Sequence, residues 1–197
     1  PLPEDGDYIR REYFRRADAS DANAYRRVVI SVDPAAKKGA NNDFTAITVC
    51  SVSRETFHLL HAVKGRWNVT ETVAQIAMLA ERHCAREIIV ESTSSGTAVL
   101  EMLKERRIGV DLYGPHPTVD KVTRLLRQLA KIESGRVTLP TEAPWIDGFL
   151  EEVVNFPNAR FDDYVDTLIQ ILEWRDRAGY LHFDTMVCPP ILIEGDE

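Results

Sequence analysis

The chain has 197 residues, 44% of them hydrophobic, with 24 Lys and Arg against 31 Asp and Glu, a net charge of -7. That length suffices for one domain with a substantial core and excludes two full ones. Cys50, Cys84 and Cys188 are too scattered for a disulfide framework or a CxxC metal site and fit a reducing cytoplasm, and no apolar run approaches the ~18 residues of a membrane span.

Residues 1–26 mix acids and arginines without an apolar period and read as an entry arm, with no signal-peptide pattern. From Arg27 the pattern changes. Val28–Val32, Thr45–Val52 and Thr56–Val63 are rich in β-branched and aromatic residues and predict three strands. The breaks at Asn41-Asn42-Asp43 and Ser53-Arg54-Glu55 suit antiparallel neighbours. After Trp67, Val73, Ile76, Ala77 and Ala80 recur at helical spacing, with Asn68 or Thr70 as N-cap. Glu87–Glu91 then reads as a short strand, Ser92–Gly96 as a turn, Thr97–Arg106 as a helix and Gly109–Tyr113 as a strand. A helix from about Val119 to Glu133, a strand at Val137–Leu139, and helices at Trp145–Val154 and Asp162–Ala178 complete the domain, which is expected to span 27–180. Residues 181–197 are acidic and Pro-punctuated and read as a tail. Three antiparallel strands followed by alternating helices and parallel strands predict a mixed central sheet flanked by helices, the order of a ribonuclease H-like α/β domain.

The acids carry the chemical signal. Asp33 ends the apolar run Val28–Val32, and Glu91 ends Ile88-Ile89-Val90 in the same way. An acid at the end of a buried strand lies where the sheet opens to solvent. Either acid alone is explained by turn capping. Two such acids on adjacent strands would repel or shift each other's pKa unless a cation lay between them. Asp162, Asp163 and Asp166 crowd the first turn of a helix whose apolar stripe is Val165, Leu168, Ile169 and Leu172. Capping and the helix dipole account for one or two of the three. Together the acids form a hard-oxygen donor set suited to two Mg²⁺ or Mn²⁺ ions, which hydrolyse phosphodiesters when held ~3.5–4 Å apart.

The wording around these acids goes further. Ile30-Ser-Val-Asp33-Pro-Ala, Asp43-Phe-Thr-Ala-Ile, Val90-Glu91-Ser, Gly135-Arg-Val-Thr-Leu-Pro140 with Trp145, and Asn155-Phe-Pro157 leading into Phe161-Asp162-Asp163-Tyr-Val-Asp166 occur in an order that resembles the nuclease domain of phage large terminases. Tyr8-Ile-Arg-Arg-Glu-Tyr-Phe14 resembles the stretch leading into that domain, so the similarity covers about residues 8–172. The resemblance implies that Asp33, Glu91 and Asp163 hold the catalytic metals, with Asp162, Asp166 and Asp43 as neighbouring ligands or supports. It further implies cleavage of double-stranded DNA concatemers during genome packaging in the infected host's cytoplasm, beside a portal protein and a small terminase subunit. Two positions depart from the family pattern: Phe161 stands where many members have His, and Thr167 where Ala is usual. No GxxxxGK[ST] loop is present, so the expectation is a nuclease domain without its ATPase motor.

A path for DNA is expected on the helix at 119–133. Val122, Leu125, Leu126 and Leu129 form one face, and Lys121, Arg124, Arg127 and Lys131 form a basic stripe that would track phosphates, or simply a solvated face. His58, His61, His83, His116 and His182 show no metal spacing. Competing readings are a junction-resolvase or transposase core with the same acids, a nucleotide-binding module of the sugar-kinase and actin group, which would need a second half and a Gly-rich loop, and a weakly catalytic docking module of the packaging motor.

Overall fold

The computed structural model describes residues 8–18, 27–35, 44–92, 95–106 and 110–177. Asp43, the break at 41–43, Cys188, His182 and the expected tail lie outside them. Seven strands and five helices follow in chain order: β1 (Arg15–Arg16), β2 (Arg27–Asp33), β3 (Thr45–Val52), β4 (Phe57–Gly65), α1 (Val69–Arg82), β5 (Glu87–Val90), α2 (Ser95–Arg106), β6 (Asp111–Tyr113), α3 (Lys121–Glu133), β7 (Val137–Leu139), α4 (Ile146–Val154) and α5 (Asp163–Arg177). Among these described helices, none is long and apolar enough to cross a membrane.

One mixed sheet runs β1-β7-β4-β3-β2-β5-β6. β2, β3 and β4 pair antiparallel, while β2–β5, β5–β6, β4–β7 and β1–β7 pair parallel, as expected of three hairpin-linked strands followed by crossovers. Side-chain alternation divides the core. Val28, Ile30 and Val32 of β2 pack with α1 and α2, whereas Val29 joins the larger cluster under α4 and α5. The central strand β3 is buried along its whole length, Thr45, Thr48 and Ser51 included.

Local chemistry sets the helix starts. Asn68 accepts from Glu71 N and Glu71 reaches back to Asn68 N, a reciprocal cap that starts α1. Asp120 accepts from Thr123 N at 2.9 Å and starts α3. The expected arm contributes to the fold itself. Ile9 and Phe14 are buried in the larger cluster, and Arg15–Arg16 adds an edge strand to β7. The many charges of 8–18 conceal this, because only Ile9 and Phe14 are buried while Tyr8 and Tyr13 pack against the cluster partly exposed.

Candidate metal centre

Strand register brings the first two acids together. β2 and β5 are parallel with Val32 opposite Val90, so Asp33 and Glu91 occupy the next rung. Adjacent strands lie ~4.8 Å apart, and both acids share the face of Ser31 and Ile89, which α5 covers. Behind Glu91 the first turn of α2 presses close. A Cβ on Gly96 would stand 1.9 Å from the Glu91 carbonyl oxygen, so that approach requires glycine.

Two buried polar contacts fix the rotation of α5 on the sheet. Thr48 and Thr167 hydroxyls meet at 2.7 Å, and Ser31 Oγ donates to Gln170 Oε1 at 3.0 Å. Asp163 and Asp166 precede these anchors by four residues each, so the helical repeat carries both onto the same face one turn earlier. The backbone carbonyl of Asp162 accepts from Val165 N and Asp166 N at 3.1 and 3.3 Å, placing Asp162 at the helix entrance.

The electrostatics show the convergence. Part of the Asp33 surface remains open, yet protein and like charge ring it closely. Burial, then Asp166, Asp163 and Glu91, raise its carboxyl well above the usual range against the pull of Lys121. Burial likewise pushes Asp166 up to about 6; Lys121 opposes the rise, and Asp162 and Glu91 add to it. Acids from β2, the end of β5 and the first turn of α5 therefore share one electrostatic site.

Cations are woven through this site. Lys121 pairs with Asp166 and, at 2.8 Å, with Asp162. Burial works to lower the Lys121 ammonium, but Asp166 and Asp162 outweigh it and raise it. Lys64, at the end of β4, pairs with Glu152 and lies 2.6 Å from Asp163 Oδ2. Asp163 Oδ2 is nonetheless buried without a hydrogen bond, so this is an ion contact and not an aligned donor. Glu152 accepts from Tyr164 N at 2.5 Å and so ties α4 to the first turn of α5.

As they stand, no three His, Cys, Asp or Glu side chains among the described residues form a ready-made metal cage. The lysine ammoniums hold Asp162, Asp163 and Asp166 where a divalent ion would compete for them. The donor set is nevertheless all hard oxygen, with Asp163 Oδ2 buried and held by the Lys64 ion contact alone, and it fits Mg²⁺ or Mn²⁺ chemically.

The expected basic stripe on α3 needs correction in its geometry. Arg124 is 5% exposed, chelates Glu173 at 2.8–3.2 Å and reaches Glu91 at 3.4 Å. Lys131 pairs with Asp176, and Lys121 serves the carboxylates. Of the four, Arg127 is the exposed one. A helical wheel separates Lys121, Arg124 and Lys131 from the leucines, but it does not show that α5 presents Asp166, Glu173 and Asp176 to that face.

Sequence reasoning missed Lys64 and Glu152. Glu152 carried a readable signal, since it falls three residues after Phe149 on the buried face of α4, where an acid demands a partner. Lys64 carried none. Near it, Phe161 stands edge-on to Phe44 at 5.2 Å, with Arg160 and Arg66 over the two rings.

The terminase RNase H-like domain model matches residues 30–173. Among solved structures, the large terminase nuclease of thermophilic phage G20c with bound cobalt is 14% identical with a TM-score of 0.63, covering 87% of this chain and 98% of that one. The human cytomegalovirus terminase nuclease domain, manganese-soaked and inhibitor-bound, is 14% identical with a TM-score of 0.59, covering 86% and 94%. The Thermus phage P74-26 large terminase nuclease domain is 16% identical with a TM-score of 0.53, covering 74% and 77%. No curated protein matches the chain. At such identities the neighbours bear on fold alone, and they share the mixed sheet and flanking helices described above. The family match extends from the middle of β2 into α5 and spans every described acid of the site, and on that ground the chain belongs to the terminase RNase H-like domain family.

Proposed function

We propose that this chain is the metal-dependent endonuclease of a viral packaging terminase, cutting double-stranded DNA concatemers in the infected cell. The observation that carries this reading is the convergence of Asp33, Glu91, Asp163 and Asp166 at one end of the sheet, in a chain of the terminase RNase H-like family. Asp33, Glu91 and Asp163 would hold divalent ions, with Asp162, Asp166 and Asp43 as further ligands or supports. Magnesium and manganese are the metals of this reading, in keeping with the oxygen donors and with the manganese-soaked and magnesium-bound states of two neighbours. A pair of such ions supplies activation of a water and stabilisation of the leaving oxygen.

The chain's own residues set the stage for that chemistry. Lys121 and Lys64 keep the crowded carboxylates apart before an ion enters, and Arg124 holds Glu91 against Glu173. Arg127, exposed on α3, is the contact proposed for DNA phosphates; Lys121, Arg124 and Lys131 add positive field behind it. On the opposite rim Arg66 and Arg160 supply charge beside Phe161. A portal protein and a small terminase subunit are the partners this role requires in the assembled machine.

Nicking of supercoiled plasmid tests the proposal. The parent should cut with Mn²⁺ or Mg²⁺ and stop in EDTA, and Asp33→Asn or Asp163→Asn should lower the rate by roughly two orders of magnitude or more, the scale of losing several kcal/mol of metal-derived stabilisation. Cutting that persists in EDTA, or at the parent rate in both variants, would refute it.

A further inference from the structure

The end of β4 delivers Lys64 into a setting suited to an ammonium. Its side chain is 14% exposed, and its Nζ lies 4.8, 5.1 and 5.6 Å from the ring centroids of Tyr164, Phe161 and Phe44. Rings at that range attract a cation through their quadrupoles, and the attraction grows as water is excluded. Two carboxylates complete the surroundings. Nζ pairs with Glu152 Oε2 and lies 2.6 Å from Asp163 Oδ2.

The two acids hold Lys64 differently. Glu152 is 8% exposed, and its other oxygen accepts from Tyr164 N at 2.5 Å, which fixes the carboxylate between α4 and α5. Lys64 donates a hydrogen bond to Glu152, whereas it meets Asp163 Oδ2 as an ion contact without one. Separation from Asp163 therefore leaves the ammonium with a charged hydrogen bond and three rings. Asp163 Oδ2 is also buried, so a metal ion that bonds to it has to take the place of a group already touching it, and Lys64 is the cation there.

We infer that Lys64 is an exchangeable counterion: a divalent ion binding Asp163 Oδ2 displaces the ammonium, which stays behind on Glu152 and the three rings. Lys64 and Glu152 are then positioning residues that set the metal affinity of Asp163 in opposite directions. Lys64 opposes the ion, and Glu152 favours it by retaining the displaced ammonium. The inference rests on the nuclease reading for the ion at Asp163 and adds which cation leaves and where it goes.

Calorimetric titration with Mn²⁺, without DNA and at fixed pH and ionic strength, compares the parent with Lys64→Met and Glu152→Gln. Lys64→Met keeps the length of the side chain among the rings and removes its charge. It should bind Mn²⁺ roughly tenfold more tightly, the order expected when one unit charge beside the ion is lost. Glu152→Gln keeps an oxygen for Tyr164 N but leaves Asp163 as the nearest carboxylate to Lys64, and it should weaken binding. Damage to the fold would weaken both, so the opposite signs separate exchange from disruption. A crystal structure of the parent soaked in Mn²⁺ reads the exchange directly, even if Glu152→Gln fails to fold. The ion should sit on Asp163 Oδ2, with Lys64 still on Glu152 and no longer on Asp163. An ion held by Asp163 Oδ1 alone with Lys64 in its present place, no ion at Asp163, or a Lys64→Met variant that binds no more tightly than the parent would overturn the inference. Each of these results can accompany Asp33-dependent nicking. Failure of the nuclease reading would appear separately, as nicking that survives Asp33→Asn.

Discussion

Asp33 sits at the end of β2 among Asp163, Asp166 and Glu91, where burial and like charge act against its ionised form. Its carboxyl is held above its ordinary value by burial and by Asp166, Asp163 and Glu91, so the native state binds its proton more tightly than the unfolded chain does. Stability from this group is present below the unfolded pKa of ~3.9 and is lost as pH rises through the folded value. In EDTA, Asp33→Asn should therefore melt above the parent at pH 8, by about 2–4 °C for each 1 kcal/mol regained, with a smaller gap at pH 5. Calorimetry at the two pH values checks this, and a variant less stable than the parent at both contradicts it. The acids were readable in the sequence because each ends an apolar run or opens a helix. Their lysine partners were not. Lys64 meets Asp163 and Lys121 meets Asp166 only through tertiary approach of elements distant in the chain, which no local pattern encodes.

At the scale of elements, the seating of α5 decides whether Asp163 and Asp166 face Asp33. Thr167 is fully buried, donates to the Tyr164 carbonyl and meets Thr48 of β3 where α5 packs on the sheet. Thr167→Val should cost about 1–3 kcal/mol in chemical denaturation, because the Thr48 hydroxyl is left buried without its partner. Thr48→Val combined with Thr167→Val should recover most of that loss, since matched apolar groups replace both hydroxyls. Strictly additive losses would show that the pair does not couple. Strand and helix order was legible throughout the described domain, because β2–β4 are runs rich in β-branched and aromatic residues set off by polar breaks, and the later helices carry a period of 3.6. β1 was not, being two arginines whose strand character comes from pairing with Thr138 and Leu139 of β7. The basic face of α3 was legible as a pattern, but the burial of Arg124 within it was not, for its partner Glu173 lies on another helix.

For the whole molecule, a net charge of -7 looks adverse for a protein proposed to cut DNA, and the distribution of charge is compatible with that proposal. Part of the acid excess sits at one end of the sheet, where divalent ions would reverse the local field, while Arg66, Arg160 and Arg127 stand on its exposed rims. In the proposed nuclease, residues from β2, the end of β5 and the first turn of α5 act as one cation site. Calorimetric titration with Mn²⁺ measures this without DNA or turnover. The parent should bind up to two ions, and Asp33→Asn and Asp163→Asn should each lose at least one or weaken it roughly tenfold or more. Unchanged Mn²⁺ binding in both variants would contradict the claim.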